Sequence, residues 1–211
     1  MKLTKVIYLL STLLFFSCLT PEQKLVKEHG FKEGIFAKMT TEKGVILLKL
    51  EYKKTPLTVA NFIGLAQGII PNDFKKPGVP FYDGLKFQRV IKNGMLIGGC
   101  PKGDGTGHPG YLFKDEFSTL LRHHKTGILS MTNNGPHSNG CQFIISLKPN
   151  PEMDDINTVF GETIGGIDVL AKIQQGDFIQ KIEILKIGKK AKQFNPLIVF
   201  EENGFSKTIK K

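Results

Sequence analysis

Apolar and polar residues along this chain fall into short alternating or blocked runs, with a helical period in two places. "IFAKMTTEKGVILLKLEY" reads as two strands joined by Glu42-Lys43-Gly44, a hairpin with glycine in its turn. Thr55-Pro56 follows as an N-cap and first helical position, and Leu57, Ala60, Phe62 or Ile63, and Leu65 fall near helical spacing until Gly68 stops the helix. Residues 69–80 carry three prolines and read as a loop. "YDGLKFQRVI", "GILSMTNNG", "CQFIISL" and "NTVFGETIG" are strand material, with the glycine-rich "GGCPKGDGTGHPG" between the first two. "GIDVLAKIQQG" places Ile167, Leu170, Ala171 and Ile173 on one helical side, and "FIQKIEILKIG" alternates as a half-buried strand does. Six to eight short strands with two helices predict a mainly β protein, a closed antiparallel barrel or a sandwich with helices over its ends. No internal repeat or second-domain boundary is visible.

The ends of the chain differ from this pattern. Lys2 and Lys5 precede "VIYLLSTLLFF" and then Ser17-Cys18, which is the layout of a secretory signal and too short for a comfortable span. Phe15 and Phe16 stand where a cleavage site would have small residues, and Ser17-Cys18 resembles the lipobox of bacterial lipoproteins. Residues 1–17 are therefore expected as a signal peptide, with Cys18 lipidated, and residues 18–33 as a polar tether. The domain is expected over 34–188 and a basic tail over 189–211. About 194 residues remain after cleavage, enough for one domain with its own core. That location predicts an extracytoplasmic, membrane-anchored protein, and the domain is expected to be a monomer.

Net charge is +10, falling to +8 without the signal lysines, and seven lysines lie between Lys186 and Lys211. Such a tail suits a solvated surface or anionic headgroups better than nucleic acid, for which no aromatic-interleaved basic patch appears. Cys100 and Cys141 form no C-x-x-C and have no histidine at ligand spacing, so a metal site is not expected and buried free thiols are. "GDGTGHPG" lacks the Gly-Lys-Ser/Thr ending of a phosphate loop and reads as a backbone turn. His123 and His124 are adjacent and read as surface residues. No serine sits in a nucleophile elbow, and the aspartates suggest neither a triad nor a carboxylate pair.

A longer constellation carries chemistry. "FQRVIKNGMLIGG", "GDGTG", "GILSMTNNGPHSNGCQFIIS" and "NTVFGETIGGIDVL" occur in one order, and "TPLTVANFIGLAQG" precedes them. This series resembles the cyclophilins, the cyclosporin-type peptidyl-prolyl cis-trans isomerases, over roughly residues 35–188. The resemblance implies a closed eight-stranded antiparallel β-barrel capped by two α-helices, with a groove on its outer face. It implies that Arg89 points into that groove, that Asn133 bonds the substrate backbone, and that Gln142 supports the arginine and the peptide carbonyl. It makes Met95, Gly105, Thr132, Ile144, Met153 and Asn157 the substrate-binding residues. Substrates would be proline-containing unfolded or exported polypeptides, with no cofactor.

Arg89 is the residue such a reaction needs. An X-Pro amide is planar behind a barrier of about 18–20 kcal/mol, and twisting it returns a lone pair to the prolyl nitrogen. A guanidinium can hydrogen-bond that lone pair, which the planar ground state does not offer. Several positions depart from the family's pattern. Gly94 stands where a pocket phenylalanine is usual, Ile97 replaces a glutamine, and Ile144 replaces the second phenylalanine of a Q-F-F run. Glu152-Met153 replaces an aromatic residue followed by leucine, Asn157 a histidine, and Gln88 another histidine. The thinner pocket predicts weaker proline binding, and Glu152 in place of an aromatic partner predicts poor cyclosporin affinity. A rival expectation is a peptide-binding or chaperone module with little turnover.

Overall fold

The structure is a computed structural model that describes residues 19–205. The expected signal peptide, residues 1–17, and the expected lipidation site Cys18 lie outside the described residues. Eight strands form one antiparallel sheet: β1 Gly34–Thr41, β2 Gly44–Leu50, β3 Arg89–Ile91, β4 Met95–Gly98, β5 Ile128–Met131, β6 Phe143–Ser146, β7 Val159–Gly165 and β8 Ile179–Ile187. Their order across the sheet is β3-β4-β6-β5-β7-β2-β1-β8. The β1–β2 hairpin closes at Thr41↔Gly44, with Glu42 and Lys43 between.

The sheet curls without closing as a barrel. No ladder joins its outer strands, β3 and β8; the seam is bridged at Lys86↔Phe178 instead. Phe87 N–H donates to the Asp177 carbonyl at 2.9 Å and Ile179 N–H to the Leu85 carbonyl at 2.8 Å. The closed barrel expected from the resemblance is therefore observed as an open, curled sheet. A turn at Tyr82–Leu85, with Gly84 at φ +81°, brings the chain alongside the start of β8, and β3 itself is three residues long.

Among the described residues, five α-helices surround the sheet where two were expected: α1 Pro21–His29, α2 Pro56–Ala66, α3 Ile167–Leu170, α4 Lys189–Gln193 and α5 Pro196–Glu202. The predicted helix over 166–176 shortens to the single turn of α3. In α2 every residue from Leu57 to Ala66 is buried. A helix apolar on all sides needs cover on two faces, and α2 has the sheet core beneath it and α5 above. Thr55 makes no side-chain cap to this helix; the Glu116 carboxylate does, accepting from Leu57 N–H at 3.0 Å and Thr58 N–H at 2.7 Å. An acidic group at an N-terminus satisfies orphan donors and meets the positive end of the helix.

Both ends of the domain are built differently from expectation. Within the expected tether, α1 carries a capping box between Thr20 and Gln23 and ends on Gly30 in the left-handed region. It buries Leu25 against Phe36, Leu185 and Ile187, on the face of the sheet away from the main core. Within the expected tail, α4 and α5 dock on the domain: Ala191 and Phe200 join the core, and Phe194 and Leu197 pack against it.

Candidate active site

The β3–β4 hairpin reverses at Lys92–Gly94, with Asn93 at φ +56°. It sets Arg89 opposite Ile97, Ile97 opposite Ile144 on β6, and Ile144 opposite Ser130 on β5. Directly paired residues share a face, and successive residues alternate. The intervening Leu96, Phe143, Ile145 and Leu129 are fully buried in the core. Arg89, Ile97, Ile144 and Ser130 thus form one row on the outer face, and Ile91 with Met95 lies one step along it.

A cavity of about 640 Å³ opens on this face, and Arg89, Ile97, Gly105, Thr132, Asn133 and Gln142 line it. It therefore gathers all three expected catalytic residues. Arg89 is exposed, and among the described residues it has neither a hydrogen-bond nor an ion-pair partner. Asp104 lines the same cavity, yet its carboxylate is taken by Thr106, whose N–H and Oγ1 both donate to it at 2.8 Å. Those bonds hold its pKa below the usual carboxylate range.

Gln142 is anchored rather than free. Its Nε2 donates to the carbonyls of Gly105 at 2.9 Å and Gly107 at 2.8 Å, and its Oε1 faces Gln88 at 2.9 Å. Two carbonyls fix the Gln142 amide, so its oxygen must accept from Gln88 Nε2. The oxygen of Gln88 then meets the Lys86 and Ile97 carbonyls, at 3.3 and 3.2 Å from that end of the amide. Turning Gln88 over would relieve those contacts but set oxygen against oxygen at Gln142; the fixed amide decides, and the Gln88 oxygen lacks a donor. Gln142 makes no hydrogen bond to Arg89; it pins the 105–107 loop instead.

That loop turns around Cys100. Its Sγ receives N–H groups from Gly105 at 3.2 Å and Gly107 at 3.3 Å, which gives the glycine-rich stretch its shape without a phosphate. Gly99 sits at φ +89°, where an added Cβ would lie 2.5 Å from the Cys141 carbonyl oxygen, so the approach of β4 to Cys141 requires glycine. Cys100 and Cys141 are both buried and unpaired, and burial pushes the Cys141 thiol well up.

Thr132 N–H donates to the Gln142 carbonyl at 3.0 Å, continuing the sheet to the cavity edge. Beyond it, the Asn133 side chain donates to the Ile156 carbonyl, while the Asn133 backbone N–H and C=O have no partner among the described residues. An unpaired backbone segment beside a groove is a template for an extended peptide.

The expected proline-pocket residues do not line this cavity. Ile144 is buried in the row beside Ile97, and Met95 is half-buried on the same face. Met153 ends the 3-10 turn Pro151–Met153, and Asn157 Nδ2 donates to the Met131 carbonyl at 3.0 Å. Gly94 leaves no empty hole: a Cβ there would lie 2.8 Å from Ile91 Cγ2. The Ile91 side chain, two residues after Arg89, stands beside that position, a contact made by the hairpin turn rather than announced by local spacing. Thr106, His108, Leu112, Ser138, Gly140 and Gln175 also line the cavity and went unassigned, because their loops meet only in three dimensions.

His123 is fully buried, not a surface residue. Its Nδ1 pairs with Asp154 Oδ1 at 2.8 Å, and Nε2 is buried without a partner among the described residues. Burial lowers its pKa against the opposing pull of Asp154, so the ring is neutral with its proton on Nδ1. Among the described residues, no group of three or more His, Cys, Asp or Glu side chains could hold a metal ion.

Comparison with known proteins agrees with this geometry. Residues 36–189 match the family model for cyclophilin-type peptidyl-prolyl cis-trans isomerases. A Helicobacter pylori peptidyl-prolyl cis-trans isomerase is 40% identical over 159 residues, covering 74% of this chain and 91% of its own. Peptidyl-prolyl cis-trans isomerase A of Mycobacterium tuberculosis is 45% identical over 132 residues, 61% of this chain and 72% of its own. The crystal structure of a Cryptosporidium parvum cyclophilin-type isomerase superposes with a TM-score of 0.63 at 25% identity, covering 72% of this chain and 98% of that one. The chain belongs to the cyclophilin-type peptidyl-prolyl cis-trans isomerase family.

Proposed function

We propose that this cyclophilin-type isomerase turns X-Pro bonds by differential binding of the twisted amide, with Arg89 as the group that meets the prolyl nitrogen. The observation that carries the reading is an exposed guanidinium with no partner among the described residues, lining the same cavity as Asn133, whose backbone is likewise unpaired there. The peptide lies along Asn133 as an added strand, and Gln142 holds the Gly105–Gly107 wall against which it rests. The Cryptosporidium parvum protein has also been crystallised in the presence of the dipeptide Ala-Pro, which supports a prolyl peptide as the ligand class here. Ile97, which lines the cavity, and half-buried Met95 along the same face offer the apolar surface for the ring. Its contact area is smaller than two phenylalanines would give, at about 1.5–3 kcal/mol for a fully buried side chain.

The location is part of the same proposal. Residues 1–17 act as a lipoprotein signal, Cys18 carries the lipid, and the monomeric domain works on exported chains at the membrane surface. Uncatalysed X-Pro isomerisation takes tens of seconds, long enough to limit the folding of such clients. Among the described residues, no helix is long and apolar enough to cross a membrane, so attachment would rest on the N-terminus. The test has two arms. Wild type is assayed for acceleration of cis-to-trans conversion of a prolyl peptide, and Cys18→Ser is compared with wild type for membrane fractionation and lipid labelling. A wild-type rate equal to the uncatalysed one, with the peptide still bound, would favour a peptide-binding module, the reading that the thinner pocket supports. Unchanged fractionation and labelling of Cys18→Ser would remove the anchor.

A further inference from the structure

Residues 190–205 lie beyond the family match, yet they reach the site. Phe200 of α5 is 6% exposed and stacks on Phe205 with ring centroids 4.3 Å apart at 23°. Both rings pack on Tyr111, at 5.2 and 5.7 Å. Tyr111 Oη donates to Asn61 Oδ1 at 2.7 Å, and Asn61 Nδ2 donates to the Gly140 carbonyl at 2.8 Å. Asn61 is a fully buried amide in the middle of α2, so both of its ends are committed to this relay. Gly140 lines the cavity, as do His108 and Leu112 on either side of Tyr111. The two walls are in close contact: a Cβ on Gly140 would lie 3.1 Å from Pro109 Cδ.

We infer that the C-terminal segment is a brace for one wall of the groove, with Phe200 and Phe205 holding Tyr111, and Tyr111 with Asn61 acting as positioning residues for the 108–112 loop and Gly140 of that wall. Arg89 is carried by β3, outside the braced segments. The 108–112 loop and Gly140 hold none of Arg89, Asn133 and Gln142, so this wall meets the residues flanking the X-Pro pair, not the pair itself. The brace therefore sets affinity for extended peptides and leaves the twisted amide alone. Two points favour a functional role over simple docking. The aromatic cluster closes on Tyr111, in the loop that carries the lining residues His108 and Leu112, rather than on α2 alone, and the relay ends on the carbonyl of Gly140, a lining residue.

The inference rests on the isomerase reading for its ligand class, so binding and turnover are measured separately. Tyr111→Phe keeps the ring and deletes the donor; Phe205→Ala removes a half-buried ring remote from the cavity, and Phe205→Tyr restores it. Dissociation constants are measured by NMR titration for an Ala-Pro dipeptide and for a hexapeptide centred on Ala-Pro, with turnover by exchange spectroscopy and Tm alongside. The hexapeptide weakens about three- to tenfold in Tyr111→Phe and Phe205→Ala, the scale of one net hydrogen bond. Dipeptide affinity and kcat stay within about twofold, and Phe205→Tyr returns the hexapeptide to wild type. Equal hexapeptide affinity in all variants overturns the brace, as does a parallel loss for both peptides that follows the unfolded fraction. Wild type that binds the hexapeptide without accelerating it overturns the isomerase reading and leaves the brace standing.

Discussion

Arg89→Ala separates catalysis from folding more cleanly than any other substitution in this protein. The side chain is exposed and has no partner among the described residues, so its removal breaks no native hydrogen bond or ion pair. Surface changes of that kind alter stability by about 0.5 kcal/mol or less, and Tm is expected to stay within about 2 °C. What the variant loses is a charge-assisted hydrogen bond made only when the amide is twisted. Such a bond contributes about 1.5–3 kcal/mol, and 1.36 kcal/mol is a factor of ten, so kcat/KM falls roughly 10- to 150-fold. Because the bond is absent in the planar ground state, the loss appears in kcat while peptide affinity is nearly unchanged. Arg89→Lys retains the charge without the planar fork of donors and recovers part of the rate. The assay is protease-coupled cleavage of a cis-prolyl peptide, checked by exchange NMR in the absence of protease. An Arg89→Ala enzyme within twofold of wild type would refute the reasoning, and so would a loss confined to KM.

Three further outcomes follow from the geometry. Gln142→Leu removes the donors for the Gly105 and Gly107 carbonyls, so the loop loosens; kcat/KM drops about tenfold or more, and full activity would show that the pinned loop is irrelevant. Glu116→Ala uncaps α2 at Leu57 and Thr58, costing about 1–2 kcal/mol and several degrees in Tm by calorimetry, with Glu116→Gln less affected. His123 is neutral when folded and has a lowered pKa, whereas the unfolded ring titrates near 6.5. The unfolded chain then binds the extra proton, so this stability is present above about pH 6.5 and is lost as pH falls below it. Wild-type Tm accordingly drops more between pH 7 and 5.5 than that of His123→Gln, and equal slopes would contradict a neutral buried ring.

Much of the site could be read from the residues because it is built on strands. Arg89, Ile97 and Ile144 belong to short alternating runs, and period-two alternation with antiparallel pairing carries them onto one face. The motif order also brought Asn133, Gln142, Gly105 and Thr132 to one cavity. The contents of the loops were not readable in that way. Ile91 stands beside Gly94, Glu116 rather than Thr55 caps α2, and His123 is sealed beside Asp154. Each of these depends on a partner brought close by the fold rather than by local spacing.

The sequence by itself determined the mainly β architecture, for which local alternation and glycine-bearing turns suffice, and its ordered motifs carried the resemblance that pointed to the family and to Arg89. Tertiary structure alone decided that the sheet curls without a closing ladder, that α1 docks through Leu25, and that α5 lies on α2. The physical reason is the same at both ends of the chain. A segment with few apolar residues looks like a linker until the surface it covers is known, and one leucine or one phenylalanine is enough to dock a short helix once a complementary apolar face has been assembled by the rest of the fold.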